Sequence, residues 1–272
     1  MIIIIKKHLI ISFNNKSTDI LVISKYQKQY YVNYHLNYKT GTDNISDKNT
    51  YIDGITKLIR ESIDMKFKNI YFHIQNDEII IRNMDSISIK KKKDIIPLIK
   101  YEINKYMPID LQNYIINYKK IIDFQGKELI QGVLFPRKFV DICKEISEKI
   151  KVKKTYLHIN FDILQKIIDM NLFEVCNSNN DKAIIIENRS EDMILNKVFN
   201  NKIIESYTVN KNDKMNFINT FTNNIYYFGI DDDYIKSLDI KKIELKNKLI
   251  LNKEKEKLDV TLDYLCVWGM IV

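Results

Sequence analysis

The sequence predicts a mixed α/β fold that is internally duplicated and carries an inserted module. Three observations predict it. A strand–turn–strand–turn–strand pattern begins at His8 and returns at Ala183. Between the copies, about Lys90 to Ile150 reads helix, proline stop, strand, tight turn, strand, helix. After the second copy a further strand, Ile225 to Ile230, precedes a short helix. Strands are read from alternating or continuous apolar runs, helices from apolar residues three and four apart.

In chain order, His8 to Phe13 is the first strand, Asn14 to Ser17 a turn, Asp19 to Ser24 the second strand and Gln29 to Leu36 the third. Thr50, with Asp53 three residues on, resembles a capping box; the helix it opens turns Ile52, Ile55, Leu58, Ile59 and Ile63 inward. Lys68 to Gln75 is a strand with Ile70, Phe72 and Ile74 on one side, and Glu78 to Met84 is the next. The module's helix, Asp94 to Met107, places Ile95, Leu98, Ile99, Ile103 and Tyr106 on one face. Asp94 is expected to cap it, Pro97 costs nothing in the first turn, and Pro108 ends it. Leu111 to Ile122 and Glu128 to Phe135 are strands around the hairpin signal Asp123 to Lys127. Pro136 opens a helix with Phe139, Ile142, Cys143, Ile146 and Ile150 inward.

Lys151 to Lys154 is a basic linker into the strand Thr155 to Ile159, and Asn160 is expected to cap a helix carrying Phe161, Leu164, Ile167 and Ile168. The second copy has strands Ala183 to Ile186, Glu191 to Phe199 and Lys202 to Val209, with Asn200-Asn201 as a hairpin turn. Asn14 and Asn188 sit in the first turn of each copy, and Asn is the non-glycine residue most tolerant of positive φ. Asp213 to Asn223 reads as a polar helix, Asp231 to Asp233 as a helix-capping loop in preference to a metal cluster, Leu238 to Leu251 as weakly patterned, and Asp263 to Val272, with Trp268, as a buried terminal helix. A first lobe, 1–155, thus contains an inserted subdomain at about 85–152, and 156–272 is a shorter second lobe.

The chain is 45% hydrophobic and 29% charged, enough for a core, and has no apolar run approaching about 18 residues. The charges follow the apolar start rather than precede it, so no signal peptide is read and a cytoplasmic location is expected. Cys143, Cys176 and Cys266 are too scattered for a disulfide framework or a metal knuckle. His8, His35, His73 and His158 are isolated from triad or metal partners. The net charge of +8 comes almost wholly from lysine. It fits an acidic partner or an anionic membrane surface, or a solvated lysine coat, the reading favoured here. Lys90 to Lys93 lacks the arginines and aromatic interleaving of a nucleic-acid groove. Only six glycines occur, a poor supply for phosphate-cradling loops.

Two strand triplets, each followed by a helix and joined by an inserted module, resemble the plan of the actin-like ATPases. Ile99-Lys-Tyr-Glu-Ile-Asn-Lys-Tyr-Met-Pro108 resembles the signature of the PilM family, and Asn113 to Tyr118 its following strand. Val133 to Val140 and Thr155 to Ile168 are similar to its return strand and its crossover. The resemblance implies a duplicated actin-like ATPase (ribonuclease H-like) fold with an inserted ββα-type subdomain. It implies a cytoplasmic scaffold at the inner face of the cell membrane, in type IV pilus assembly, that grips the N-terminal tail of PilN. PilO and the motor PilB would be further partners, ring-forming self-association a possibility of the assembly, and membrane association would come only through the partner. The docking face would be built from Ile99, Ile103, Tyr106, Met107, Tyr114 and Ile116, with Ile96, Tyr101 and Tyr118 beside them. Aromatic residues of this kind anchor extended peptides.

Family members commonly bind ATP, and here the sequence departs from the pattern. The aspartate and glycine of the first phosphate loop are replaced by Ser12 and Asn14, those of the second by Ile186 (or Glu187 if the register slips by one) and Asn188, and the adenosine Gly-Gly turn survives only as Gly229-Ile230. Lys16 and Arg189 are candidate cationic substitutes, though plain turns are the favoured reading. Only Asn210 to Asn224 occupies the place of the closing subdomain. The expectation is a chain without cofactor, metal or catalysis. The alternative is a nucleotide-binding actin-like ATPase of a pilus or type II secretion system. A GspL-like secretion protein is a third reading, set aside because that family continues into a membrane span.

Overall fold

A computed structural model describes residues 7–26, 29–64, 66–74, 76, 78–85, 92–123, 125–172, 182–189, 192–211, 221–222, 224–238, 240–244, 249–253, 256–259 and 265–271. Two compact units interleave along the chain: Met1–Asn76, Lys138–Leu172 and Leu245–Val272 form one, Asp77–Arg137 and Phe173–Glu244 the other. This differs from a single cut near residue 155, because the inserted sheet packs with the second strand triplet.

The first unit begins with β1 (Lys7–Phe13), β2 (Thr18–Tyr26), β3 (Gln29–Tyr38), α1 (Lys48–Ser62) and β4 (Asn69–Ile74). The next elements along the chain are β5 (Ile80–Asp85), α2 (Ile95–Tyr106), β6 (Tyr114–Ile122) and β7 (Glu128–Pro136), which belong to the second unit. Then come α3 (Arg137–Ile150), β8 (Lys154–Ile159) and α4 (Asn160–Asp169). The second unit resumes with β9 (Lys182–Asn188), β10 (Asp192–Phe199), β11 (Lys202–Asn210), β12 (Ile225–Gly229), α5 (Asp233–Lys236) and β13 (Lys241–Lys242). The chain returns to the first unit with β14 (Leu249–Lys253), β15 (Glu256–Asp259) and α6 (Leu265–Ile271).

The first unit's sheet has the order β15-β14-β3-β2-β1-β4-β8. β1 runs antiparallel to β2 and parallel to β4, and β8 lies parallel beyond β4. Leu9, Ile10, Ile11 and Phe13 are all fully buried, as a central strand covered on both faces requires. Phe13 stacks on Phe72 with ring centroids 5.8 Å apart and meets Tyr51 of α1. Ion pairs join α1 to α3, Lys48 to Glu145 and Lys149 to Asp53. α6 packs on α4, β1 and β4 with Trp268 fully buried, matching the expected terminal helix.

The second unit repeats this plan. In the order β11-β10-β9-β12-β13, β9 is antiparallel to β10 and parallel to β12. A register shift interrupts β2–β3 at Val22/Ile23 and β10–β11 at Lys197/Val198, so each copy bulges in its second hairpin. Asn200 and Asn201 have φ of 48° and 60°, the paired positive angles of a two-residue hairpin turn. The inserted sheet, β5-β7-β6, buries one face against Ile95, Ile99 and Ile103 of α2. Its other face meets β11, where Ile121, Phe199 and Ile204 cluster.

Four local expectations are corrected. The N-cap of α1 is Asp47, which accepts from the amides of Asn49 and Thr50; Thr50 lies inside the helix, so the Thr50–Asp53 pair is no capping box. Asp94 makes no side-chain capping bond, because its own backbone is helical. Asn160 is the first residue of α4, not its cap, and its buried side chain accepts from Cys266 Sγ. Positive φ among the described non-glycine residues falls at Lys151, Asn171, Asn200 and Asn201, not at Asn14 or Asn188. Cys176 and most of the Asp213 to Asn223 stretch lie outside the described residues. No described helix is long and apolar enough to cross a membrane.

Candidate functional site

The inserted subdomain offers the first candidate surface. Alternation along β6 sends Ile121 toward β11 and Tyr114, Ile116 and Tyr118 toward α2, where they pack half-buried beside Ile80, Met84, Ile130 and Leu134. The amides of Asn83 (Nδ2) and Gln131 (Nε2) both donate to the Ile204 carbonyl, at 2.5 and 3.1 Å, and Gln131 also donates to Asn83 Oδ1. This buried polar clamp fixes the inserted sheet on β11; isolated Asn and Gln carry no periodic signal, so sequence reading missed it.

Among the described residues, the exposed apolar groups of the subdomain are Ile115 and Ile122 of β6 and those on the outer side of α2 and the segment after it. Ile99 and Ile103 are buried in the subdomain's own core at 0% and 3% exposure. Tyr106, expected on the inward face, is 71% exposed, and Tyr101 is 65% exposed. Tyr106 turns outward because α2 ends there: Met107 has left helical geometry, with its amide still bonded to Ile103 O. The Lys105 ammonium lies 5.0 Å from the Tyr106 ring centroid. Met107, Ile109, Leu111, Tyr114 and Ile116 form a half-buried apolar strip against the same core. The six expected docking residues thus divide into a buried floor (Ile99, Ile103), a half-buried strip (Met107, Tyr114, Ile116) and one exposed ring, Tyr106.

The turns that open the two strand triplets are the second candidate. After β1, the Asn14 amide donates to Ser17 O, and the carbonyls of Asn14 and Asn15 accept from Thr42 and Asp43 at 2.9 and 3.0 Å. A Cβ on Gly41 would lie 2.3 Å from Asn15 O, so this close approach depends on glycine. Ser12 Oγ and His73 Nδ1 share a buried hydrogen bond of 2.8 Å. Asp19 accepts from Asn14 Nδ2, His35 Nε2 and Asn37 Nδ2 at 2.9–3.0 Å. Burial pushes its carboxyl up, but the bonds from His35, Asn37 and Asn14 outweigh burial and hold it below the ordinary value. The turn therefore presents an ionised carboxylate.

After β9, Asn188 Nδ2 donates to Ile230 O (2.6 Å), and the Ile230 amide returns a bond to Asn188 O (2.9 Å). Gly229 has φ +94°, and a Cβ there would stand 2.3 Å from Asn188 O. Ile186, in the middle of β9, is fully buried. Arg189 is held by Glu187 at 3.0 Å and its amide by Asp192 O. Asp232 caps α5 through the Ile235 amide (3.0 Å) and accepts from Lys211 Nζ (2.5 Å), while Asp231 binds Tyr227 and Lys242. Burial raises the Asp232 pKa, and Lys211, the Ile235 amide and Asn188 bring it below the ordinary value. The aspartate run is thus a capping loop tied to lysines, and no metal-binding cluster occurs among the described residues.

A phosphate cradle needs backbone N–H groups directed at the anion and positive charge beside them. The first turn carries Lys16, but it also sets the Asp19 carboxylate there. The second plugs itself with an asparagine side chain and neutralises its arginine. These residues do not fit a nucleotide phosphate.

No family model matches the sequence, and no curated protein matches it. Solved structures are similar in fold. A protein of Bacteroides thetaiotaomicron with an actin-like ATPase fold and unknown function aligns at TM-score 0.55 and 9% identity, over 98% of this chain and 95% of that one. The cytoplasmic domain of EpsL, an inner membrane component of the type II secretion system of Vibrio cholerae, aligns at TM-score 0.54 and 10% identity, with the same coverage. A chain of the PilM-PilN type IV pilus biogenesis complex aligns at TM-score 0.54 and 10% identity over 75% of this chain; the alignment spans 61% of that chain. With the duplicated sheet topology, these likenesses establish the fold of this chain as that of the actin-like ATPases.

Proposed function

We propose that this chain is a nucleotide-independent adaptor of a type IV pilus assembly machinery. Its inserted subdomain binds the cytoplasmic N-terminal tail of a PilN-like membrane protein and links the inner-membrane complex to the assembly motor. The observation that carries the reading is the exposed end of α2, where Tyr106 stands beside the apolar strip of Met107, Tyr114 and Ile116. Tyrosine offers large contact area at low entropy cost, and an extended tail would lie along such a strip. The fold shared with a chain of the PilM-PilN complex supports the choice of partner. Contacts with PilO and with PilB, self-association into a ring and a place at the inner face of the cell membrane belong to the same reading.

A synthetic PilN-like tail peptide, followed by calorimetry, tests it. Tyr106→Ala and Met107→Ala are each expected to weaken binding about tenfold. If both bind the peptide as tightly as the parent chain, the docking face lies elsewhere. Ile103→Asp is unsuitable, since Ile103 is core. The self-closed turns after β1 and β9 support nucleotide independence: magnesium ATP is expected to leave the melting temperature unchanged. A rise of several degrees would favour the alternative, a nucleotide-binding actin-like ATPase of a pilus or type II secretion system.

A further inference from the structure

The lysines of the first unit are not spread evenly. β1, β4 and β8 run parallel and in register, His8 beside Asn69 and Asn69 beside Lys154. Lys7, Lys68 and Lys153 each sit one residue before those paired positions, so they occupy one level on three adjacent strands, within roughly 10 Å at ordinary strand spacing. Lys66, Lys151 and Lys154 stand at the same end of the sheet. Among the described residues none of these six is in an ion pair. The opposite end of the sheet also carries lysines, Lys16, Lys39, Lys48 and Lys138, but it sets them among Asp19, Asp43 and Asp47, with Lys48 paired to Glu145; Glu61, Asp64 and Glu148, at the ends of α1 and α3, lie toward the rim.

Two features set this rim apart from a general lysine coat. Lys151 occupies φ 62° in the turn that ends α3, with its amide bonded to Glu148 O and the next amide to Ser147 O. That is a position where glycine is favoured and a lysine is strained. Tyrosines also flank the rim: Tyr156 of β8 is 40% exposed and stacks on Tyr71 with centroids 4.9 Å apart, and Tyr26 at the end of β2 is 38% exposed. Tyrosine beside lysine is the pairing that suits a lipid headgroup layer, where a ring rests among headgroups and ammonium groups meet phosphates.

We infer that this rim is a membrane-docking face, which lays the strand-N-terminal end of the first unit against a bilayer rich in anionic phospholipid. It adds a direct contact to the partner-mediated one expected from sequence, and it does not depend on the tail-binding reading. The partner's chemistry follows from charge complementarity: like charges crowded at one level repel until a dense negative surface neutralises them. Each lysine near such a surface strengthens partitioning about fivefold.

Sedimentation of the full chain with vesicles tests this. Binding is expected to phosphatidylcholine mixed with phosphatidylglycerol and not to phosphatidylcholine alone, and to fade as salt rises. A triple variant, Lys66→Gln, Lys68→Gln and Lys153→Gln, is expected to bind about 100-fold more weakly. The control triple Lys16→Gln, Lys39→Gln and Lys138→Gln removes the same charge from the opposite end and is expected to stay close to the parent. Circular dichroism confirms that both triples fold; if the rim triple does not, Lys68→Gln with Lys153→Gln replaces it, at about 25-fold. Equal losses in the two triples, or no anionic-vesicle binding by the parent, overturn the proposal. Rim-dependent binding of duplex DNA as tight as that of the vesicles also overturns it, by making the rim a general polyanion face. Tail-peptide affinity is expected to be unchanged in the rim triple, so the two proposals fail separately.

Discussion

The turn after β1 and the turn after β9 hold the same place in a duplicated plan, yet they are closed by different means. The first closure is distributed: two backbone bonds from Thr42 and Asp43, a bond within the turn, and a carboxylate that gathers three side chains. The second is concentrated in Asn188, whose side chain and backbone both hold Ile230, and in Gly229, which lets them approach. A distributed closure loses one member of several on substitution; a concentrated one loses its centre. The two copies thus close their turns through different contacts, and the second is expected to be the more fragile.

The largest effect is expected at Gly229. Gly229→Ala brings a Cβ to 2.3 Å from Asn188 O at φ +94°, combining a backbone collision with left-handed strain. A loss of about 3–4 kcal/mol in denaturant unfolding is expected, of which about 1–2 is the strain. Gly41→Ala meets Asn15 O at the same 2.3 Å, but Gly41 has φ −110°, open to any residue. Its cost is expected to be smaller by that strain. If Gly41→Ala proves the worse of the two, the contrast between the turns is broken.

Asn188→Ala comes next. It leaves the Ile230 carbonyl without its 2.6 Å donor in a part-buried place, at a cost of about 2 kcal/mol. Asn14→Ala removes one of three donors to Asp19 and is expected to cost about half as much. Equal losses at the two asparagines would mean that the closures share one design.

How far the sequence revealed this depends on the kind of signal. Periodicity exposed the strands of both triplets, the inward face of α1, the hairpin at Asn200-Asn201 and the buried helix around Trp268, because apolar spacing is imposed by burial along an element. It did not reveal β14 and β15, which extend the edge of the first sheet from a stretch without clear alternation. Tyr106 leaves the inward face that helical spacing predicts for it, because it is the last residue of α2 and the chain departs from helical geometry at Met107. At the turns, the resemblance implied that the phosphate-loop residues are replaced. It did not show what the replacements do, since the partners of Asn188 and Asp19 come from strands and loops remote in the chain.

The smallest effect, and the sharpest on the first turn, is expected at Asp19. Its folded pKa lies below the ordinary value, with His35 the titratable neighbour and Asn14 and Asn37 the neutral donors facing it. The unfolded chain therefore binds the proton more readily. The contribution of Asp19 is complete above the unfolded pKa and is lost as pH falls through the folded one. Partial exposure limits it to below about 1 kcal/mol. Asp19→Asn should thus be less stable than the parent at neutral pH, the gap narrowing as pH falls through the ordinary carboxylate range and closing below the folded pKa. A gap that stays constant would mean that the side chains around Asp19 respond to its shape and not to its charge. Asp19→Asn also removes the negative charge from the turn without opening the closure at Asn188. Magnesium ATP is therefore expected to leave its melting temperature unchanged; a rise would place the exclusion of phosphate in the charge of the first turn alone, and the plugged second turn would then be no barrier.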